Sequence, residues 1–167
     1  MNVFYIHEDP KEAARLHIWH KHVVKMILEY AQLLSTAHRL LDGVESEGVT
    51  KTGRKKKVYT LNGNQNSVYN ATHINHPSAV WVRANKAHYC WVYECMMELG
   101  TVYKEKSKSG NEHLTITKMK DLLANPPLNI PDLPFEEPPQ AMDDKFKVEG
   151  DSLAAYKKYY EHKREIL

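Results

Sequence analysis

The sequence predicts an all-α fold: a compact helical domain with two long central helices, a long basic loop or weak hairpin, and a proline-rich extended arm. Apolar residues recur at spacings of three and four over residues 20–41, which is the pattern of an amphipathic helix. A broader apolar pattern over residues 77–105 predicts a second, largely buried helix. The 167 residues, of which 42% are hydrophobic and 26% charged, suit a soluble domain with its own core.

The helix predicted over residues 20–41 has an apolar face and a polar face. The apolar face holds Val23, Val24, Ile27, Leu28, Ala31 and Leu34. The opposite face, named the polar ridge, consists of His22, Lys25, Glu29, Gln32, Thr36 and Arg39, which stack because they lie three or four residues apart. Gly43 is expected to follow the end of this helix. A titratable ridge on a mostly buried helix is a candidate site of chemistry, and a solvated face with a helical Lys–Glu pair is the alternative.

The elements before and after the central helix are less regular. Residues 2–6 form a short β-like or extended opening, and Asp9 followed by Pro10 predicts the start of a helix that runs to about residue 18. Residues 43–72 combine a cationic run with turn-forming sequence, which indicates a long loop or a weak hairpin. A loop of this length within a domain is usually functional or mobile.

Three parts of the chain differ in composition. Residues 1–124 are expected to form the helical core, with a further short helix over residues 113–123. Residues 125–150 form a proline-rich arm, because the six prolines between residues 125 and 139 exclude a regular helix or a central strand. Four apolar residues favour docking of this arm on the core over a free linker: Leu128, Ile130, Leu133 and Phe135. Residues 151–167 predict a C-terminal helix with aromatic and basic residues.

Composition excludes some classes of protein. The formal net charge of +2 creates no global field that indicates nucleic acid, although local clusters of cations still can. No apolar run reaches the ~20 residues of a membrane span and no signal peptide opens the chain, so no membrane association is expected. Cys90 and Cys95 lie five residues apart on a predicted helix and point in different directions, so we expect free thiols and a cytoplasmic location. We further expect a monomer or a small homo-oligomer.

Two segments have the residue types that bind nucleic acid. The first is a run of five cations in seven residues, Lys51, Arg54, Lys55, Lys56 and Lys57, which can neutralise several phosphates. A solvated, mobile loop is the alternative for this run. The second is the aromatic-basic tail, where Tyr156, Lys157, Tyr159 and Tyr160 could stack on unpaired bases and hold the backbone. An amphipathic helix with packed tyrosines and solvated lysines is the alternative there.

The ten histidines do not form a diagnostic metal motif. Metal sites on helices are typically recognised by two histidines four residues apart with a glutamate between them, and this spacing is absent. We therefore expect scattered structural histidines, with neither a metal nor another cofactor.

Glu29, together with Lys25 and His22, is the most reactive combination in the polar ridge. A partly buried carboxylate with cations one turn away stays ionised. It can then stabilise an oxocarbenium ion at a sugar, or hold an iminium intermediate and remove its proton. Lys25 or a chain-terminal amine could supply the attacking nitrogen, and an α-amine becomes neutral at lower pH than a lysine does.

Three segments, in their order along the chain, resemble the small pyrimidine-dimer DNA glycosylases with abasic-site lyase activity, the phage endonuclease family. Residues 1–7 precede a helix with a central glutamate, Glu29, as the amino terminus does in that family. Residues 75–83 are similar to the family's Asn-His-Pro segment, which also runs to a basic residue, here Arg83. Residues 156–160 resemble the aromatic-lysine tail that contacts DNA. The chain resembles more closely a set of uncharacterised phage proteins that share its residues 22–29, 76–79 and 127–131.

The resemblance implies a reaction and a partner. The amine of Met1 would attack the sugar C1′ of a flipped nucleotide, with Glu29 as the matching carboxylate, and the base would leave as an imine forms. Strand cleavage by β-elimination would follow. His76 and Arg83 would contact DNA that carries a damaged or modified pyrimidine, in the cytoplasm of the host cell for a phage-encoded protein.

Two departures from the family set this chain apart, and they leave a second function open. Asn2 follows Met1, whereas the family exposes a small residue after removal of the methionine. Leu28 and Tyr30 flank Glu29, where the family has an arginine beside the glutamate. The alternative is a non-catalytic phage protein that uses the same ridge and loop to bind nucleic acid, a nucleotide or a host protein.

Overall fold

Two long helices form the centre of the computed structural model, which describes residues 1–167. The first, α2, is Val24–Asp42, and it packs against the second, α4, which is Lys86–Lys106. The remaining helices are α1 (Pro10–Arg15), α3 (Pro77–Val82), α5 (Leu114–Met119) and α6 (Ser152–Ile166), with a π-helical turn at Trp19–Val23 and 3₁₀ turns at Gly63–Ser67 and Asp144–Phe146. None of these helices combines the length and the apolar character that crossing a membrane requires.

The all-α prediction is wrong, because the chain also contains a two-stranded antiparallel sheet. Strands β1 (Val44–Val49) and β2 (Lys55–Thr60) pair from Val44 opposite Thr60 to Val49 opposite Lys55. Helices hold 51% of the residues, so the protein is mainly helical but not purely so. The turn between the strands contains Gly53 at φ 82°, a left-handed conformation that favours glycine. This hairpin, residues 44–60, is named the basic hairpin.

Both long helices are shorter than the periodicity predicts. The helix predicted from residue 20 begins with the π-helical turn and becomes regular only at Val24. The helix predicted over residues 77–105 is divided into α3 and α4. The break occurs before Asn85, whose side chain accepts a hydrogen bond from the His88 backbone and caps α4. Capping by asparagine competes with continuation of the helix, which apolar periodicity alone does not register.

The amino-terminal segment is buried without being a strand. Residues 3–6 lie in the core, each at most 4% exposed, as part of the main hydrophobic cluster. The backbone N–H of Phe4 donates to the Tyr30 hydroxyl at 3.2 Å, which fixes the segment against α2. Burial of this segment holds the first residue of the chain beside the middle of α2.

The proline-rich arm lies over α3 and the start of α4. Its carbonyls accept from the Lys86 backbone and from the Trp81 indole, and the Glu136 N–H donates to His88. Phe135 packs edge-on against Trp81 and His88, whereas Leu128, expected as an anchor, is 93% exposed. The arm also donates to the core, because the N–H groups of Leu128 and Asn129 bind the Asp42 carboxylate.

Candidate active-site cleft

Glu29 lies between two amines. Its Oε1 is 3.9 Å from the amino-terminal nitrogen of Met1, and its Oε2 is 3.6 Å from the Lys25 ammonium. Lys25 and Glu29 face the same way because they are one helical turn apart on α2. Met1 reaches the site from a distant part of the sequence through the buried residues 3–6. The structure thus brings together three of the four residues predicted as catalytic.

The tyrosine that follows Glu29 secures the terminal segment. The Tyr30 hydroxyl accepts from the Phe4 N–H and lies 2.8 Å from Nε2 of His17. Nδ1 of His17 is 2.7 Å from the Ala13 carbonyl, so it must donate there, and Nε2 is left to accept from Tyr30. This chain of hydrogen bonds ties α1, the amino terminus and α2 together beside the carboxylate.

The three groups lie in an open cleft, named the Glu29 cleft. Its volume is about 470 Å³, and it is lined by Met1, Val24, Lys25, Leu28, Glu29, Gln32, His73, His113 and Thr115. Val24 is 46% exposed and Leu28 is 39% exposed, so apolar surface faces solvent beside the charged groups. A cleft with apolar walls and a few convergent polar groups is the usual form of a small-molecule site.

The Glu29 carboxylate has free capacity for hydrogen bonding. Its side chain is only 16% exposed, yet Oε2 has no hydrogen-bond partner. Both amines lie near 4 Å, where they contribute charge attraction without a close hydrogen bond. A carboxylate in this state can interact with an electron-poor carbon of a bound sugar or with an iminium ion.

Histidines that the sequence did not single out line the cleft. His73 has φ 50° and is the only residue other than glycine with a positive φ, a strained conformation that is common at functional sites. His113 caps α5 because its Nδ1 accepts from the Thr115 N–H at 3.1 Å. Nε2 of His113 must then carry the proton, and burial lowers the pKa of this ring. No motif in the local sequence marks either residue.

His76, predicted to contact DNA, lies close to the amino terminus. Its Nδ1 accepts from the Ser78 N–H at 3.0 Å, which caps α3. Burial lowers the pKa of His76, and the positive charges of the Met1 amine and of His73 lower it further. No three His, Cys, Asp or Glu side chains converge as a metal site would require.

The placement predicted for His22 is wrong. Its ring is 6% exposed, stacks on Phe4 at 4.6 Å and lies 2.7 Å from the Tyr160 hydroxyl. The same Tyr160 hydroxyl also accepts from the Ile18 N–H, so it joins His22 to the start of the π-helical turn. Burial, followed by the charges of nearby lysines, lowers the pKa of His22 to about 4. The ring is therefore a neutral core residue rather than a cation next to Glu29.

Two of the tyrosines predicted to stack on bases are also buried. Tyr156 is fully buried and its hydroxyl donates to the Pro139 carbonyl at 2.8 Å, while Tyr160 is 3% exposed. Tyr159 is half-buried, with the Lys163 ammonium 4.8 Å from its ring centroid, and Lys157 is exposed. The aromatic-basic tail thus offers Lys157 and part of Tyr159 to a ligand, and its other rings join α6 to the core.

The cations of the basic hairpin remain in solvent. Lys51 and Arg54 lie in the turn, and Lys55, Lys56 and Lys57 follow on β2. The Lys57 ammonium pairs with Glu45 at 3.1 Å, so this cation is partly neutralised. A smaller cavity of about 220 Å³ lies between β2 and Arg39.

Arg83 has a structural contact where a nucleic-acid contact was predicted. It is half-buried, donates to the Ile74 carbonyl at 2.8 Å, and its pKa is lowered by burial. This bond secures the segment that holds His73 and His76. Arg83 therefore affects the Glu29 cleft indirectly, by holding these histidines in position.

Comparison of the chain with protein-family models, with curated proteins and with solved structures gave no match in any of the three.

Proposed function

We propose that this chain is a DNA glycosylase with abasic-site lyase activity that acts on a damaged or modified pyrimidine. The observation that supports it best is the Glu29 carboxylate at an open cleft with an amine 3.9 Å away. The likeness of three sequence segments to the pyrimidine-dimer glycosylases supports the same choice, since Met1 and Glu29 are the residues that this likeness assigns to catalysis.

The proposed reaction uses the terminal amine as nucleophile. The lone pair of the neutral Met1 nitrogen forms a bond to C1′, the base leaves with the electrons of the glycosidic bond, and the proton that the nitrogen loses is taken up by the base. The nitrogen lone pair then expels the ring oxygen, which takes up a proton from water, and an iminium ion joins Met1 to the opened sugar. Removal of a C2′ proton then expels the 3′ phosphate, which cleaves the strand. Glu29 stabilises the positive charge at C1′ and accepts the proton from C2′.

Lys25 is the second candidate for the nucleophile. Its nitrogen lies 3.6 Å from Glu29, but its side chain is 65% exposed. A solvated lysine amine holds its proton more firmly than an α-amine, and the attack needs the neutral form. The terminal amine is therefore the better nucleophile, and the lysine contributes positive charge beside the carboxylate and the phosphate backbone.

The basic hairpin supplies affinity for the phosphate backbone in this proposal. Its cations are exposed and belong to one antiparallel unit, so they can contact successive phosphates. Binding of this kind weakens as salt concentration rises. It does not depend on the base sequence, which leaves recognition of the damaged nucleotide to the Glu29 cleft.

Trapping with borohydride on an oligonucleotide that contains an abasic site tests the proposal. Wild-type protein is expected to form a covalent adduct, which acetylation of the terminal amine abolishes and Lys25→Ala retains. Glu29→Gln should lower strand cleavage by at least about 100-fold, the scale of general acid–base and charge stabilisation. Glu98→Gln is the matched control, because its side chain is 17% exposed and also pairs with a cation.

The non-catalytic alternative is favoured by one observation, the helical Lys25–Glu29 pair, which stabilises α2 without any ligand. The same experiment distinguishes the two functions. Absence of both adduct and cleavage, with binding of DNA that weakens steeply in salt, would overturn the enzymatic proposal and support a nucleic-acid-binding protein. Mass spectrometry of the intact protein establishes which residue carries the free amine.

A further inference from the structure

We propose that Trp19 and Tyr103 form a stacking platform for an unpaired base of the nucleic-acid strand that enters the Glu29 cleft. This inference rests on the proposed function, because a strand whose reacting nucleotide lies at Glu29 brings a neighbouring base to Trp19.

The backbone at Trp19 has an unusual conformation. The Ile18 carbonyl accepts from the N–H groups of Lys21, His22 and Val23, as the chain forms the π-helical turn. π-Helical turns are rare in proteins, and those that do occur often lie at functional sites. This one buries His22 and Val23 while the Trp19 ring, at the start of the turn, stays partly exposed.

Three rings lead from this turn to the cleft. The centroids of Trp19 and Tyr103 are 6.4 Å apart, and those of Tyr103 and His113 are 5.0 Å apart. His113 lines the Glu29 cleft. The platform is therefore continuous with the site of the proposed reaction, and a strand with its reacting nucleotide at Glu29 passes Trp19 with a neighbouring base.

Trp19 differs from the other two tryptophans. Trp81 is 7% exposed and Trp91 is 6% exposed, and each indole N–H donates to a backbone carbonyl at 2.9 Å. The Trp19 ring packs against the core on one side and is partly exposed on the other. Core packing therefore accounts for the presence of Trp81 and Trp91, but it does not account for the exposed part of the Trp19 ring.

The charges around the platform match a phosphate backbone. The Lys106 ammonium lies 5.9 Å from the Trp19 ring centroid, and Lys21 is exposed on the same turn. Two of the three acids of α4 pair with Arg15, which lies 3.2 Å from Glu98 and 3.0 Å from Glu105. Aromatic faces next to free lysines bind single strands by stacking and charge, whereas the bases of a duplex are already stacked on each other.

Titration with a single-stranded pyrimidine oligonucleotide, followed by intrinsic tryptophan fluorescence, tests the platform. Because Trp81 and Trp91 are buried, a change in fluorescence on binding reports Trp19. Wild-type protein should be quenched by the single strand and much less by a duplex of the same sequence. Trp19→Leu should lose the quenching and bind about tenfold more weakly, whereas Trp19→Phe should retain most of the affinity.

His20→Ala is the matched control, because this exposed residue lies on the same turn and should bind as wild type does. At a saturating concentration of the abasic-site oligonucleotide, Trp19→Leu should form the borohydride adduct as fast as wild type. Glu29→Gln should lose catalysis and keep the quenching.

The outcomes distinguish the platform from the enzymatic activity. If quenching requires Trp19 but the protein forms no adduct, the platform stands and only the proposed enzymatic function is refuted. Equal affinity of Trp19→Leu and wild type, or equal quenching by single strand and duplex, would refute the platform, with circular dichroism confirming that the variants fold.

Discussion

The polar ridge of α2 and its preceding turn divides into two regions with opposite roles. Lys25, Glu29 and Gln32 line the open cleft. His22, Thr36 and Arg39, which belong to the same row in the sequence, are buried and hydrogen-bonded within the protein. Spacing along a helix therefore determines which side chains share a face, whereas the packing of other segments decides which of them meet solvent.

Arg39 is the strongest example of the buried region. Its guanidinium is 5% exposed and donates to five acceptors, four of them backbone carbonyls of residues 59–69. Burial lowers its pKa, but every N–H direction is occupied, which offsets much of the cost of burying the charge. The residue fastens the segment after β2 to α2 and has no donor left for a ligand.

Replacement of Arg39 should have the largest effect on the free energy of unfolding, because Arg39 belongs to the buried region. Arg39→Met is expected to lower the free energy of unfolding by about 3–5 kcal/mol, because five acceptors lose their partner at once. Arg15→Met is the control, because its ion pairs are exposed and such pairs add little to stability. Urea denaturation of both variants measures the difference. Equal stability of the two would show that Arg39 does not hold the loop.

Acid should lower the free energy of unfolding through three buried histidines. Burial lowers the pKa of His17, His22 and His38 to about 4, so these rings are neutral in the folded protein. In the unfolded chain they protonate near pH 6.5. The unfolded state therefore binds more protons, and stability is lost as the pH falls from about 6.5 toward 4. For the fully buried His17 the loss approaches ~3 kcal/mol.

Urea denaturation at several pH values between 7.5 and 4.5 measures this effect. His38→Gln keeps a donor for the Tyr89 hydroxyl and removes one of the three titrating groups. Its stability should therefore fall less steeply with pH than that of wild type. An unchanged slope would mean that His38 does not contribute to the acid sensitivity.

The smallest effect is expected in the open region. Glu29→Gln should change the free energy of unfolding by less than about 1 kcal/mol, because a partly solvated ion pair contributes little to stability. Thermal unfolding followed by circular dichroism measures it. A loss as large as that of Arg39→Met would assign Glu29 a structural role and would weaken the proposed function, since a group reserved for catalysis is expected to be dispensable for folding.

Local sequence patterns predicted most helices but not their limits. The apolar periodicity located α2 and α4, and Pro10 and Pro77 marked the starts of α1 and α3. The sheet was predicted only as an alternative, because a hairpin of exposed residues has little apolar alternation. The split between α3 and α4 depends on capping by one side chain, which periodicity does not detect.

The candidate site was predicted in part. Glu29 and Lys25 were assigned together because helix geometry fixes their relation, and Met1 was added through a resemblance. His73 and His113 were missed, since no local pattern shows that their segments lie beside α2; His113 begins a predicted helix, but its position at the cleft depends on tertiary packing. Tyr156 and Tyr160 were misassigned, because a tyrosine next to lysine can face either the core or solvent.

Local sequence patterns are sufficient to predict the long helices, the stacking of Lys25 on Glu29 and the concentration of cations between residues 51 and 57. These features follow from contacts within a few residues, where backbone geometry has a fixed period. Tertiary packing, in contrast, brings Met1 to Glu29, buries His22 and Arg39, and places Trp19 near the cleft. These outcomes depend on which distant segments cover each face, because burial of apolar surface is optimised over the whole chain rather than along one helix.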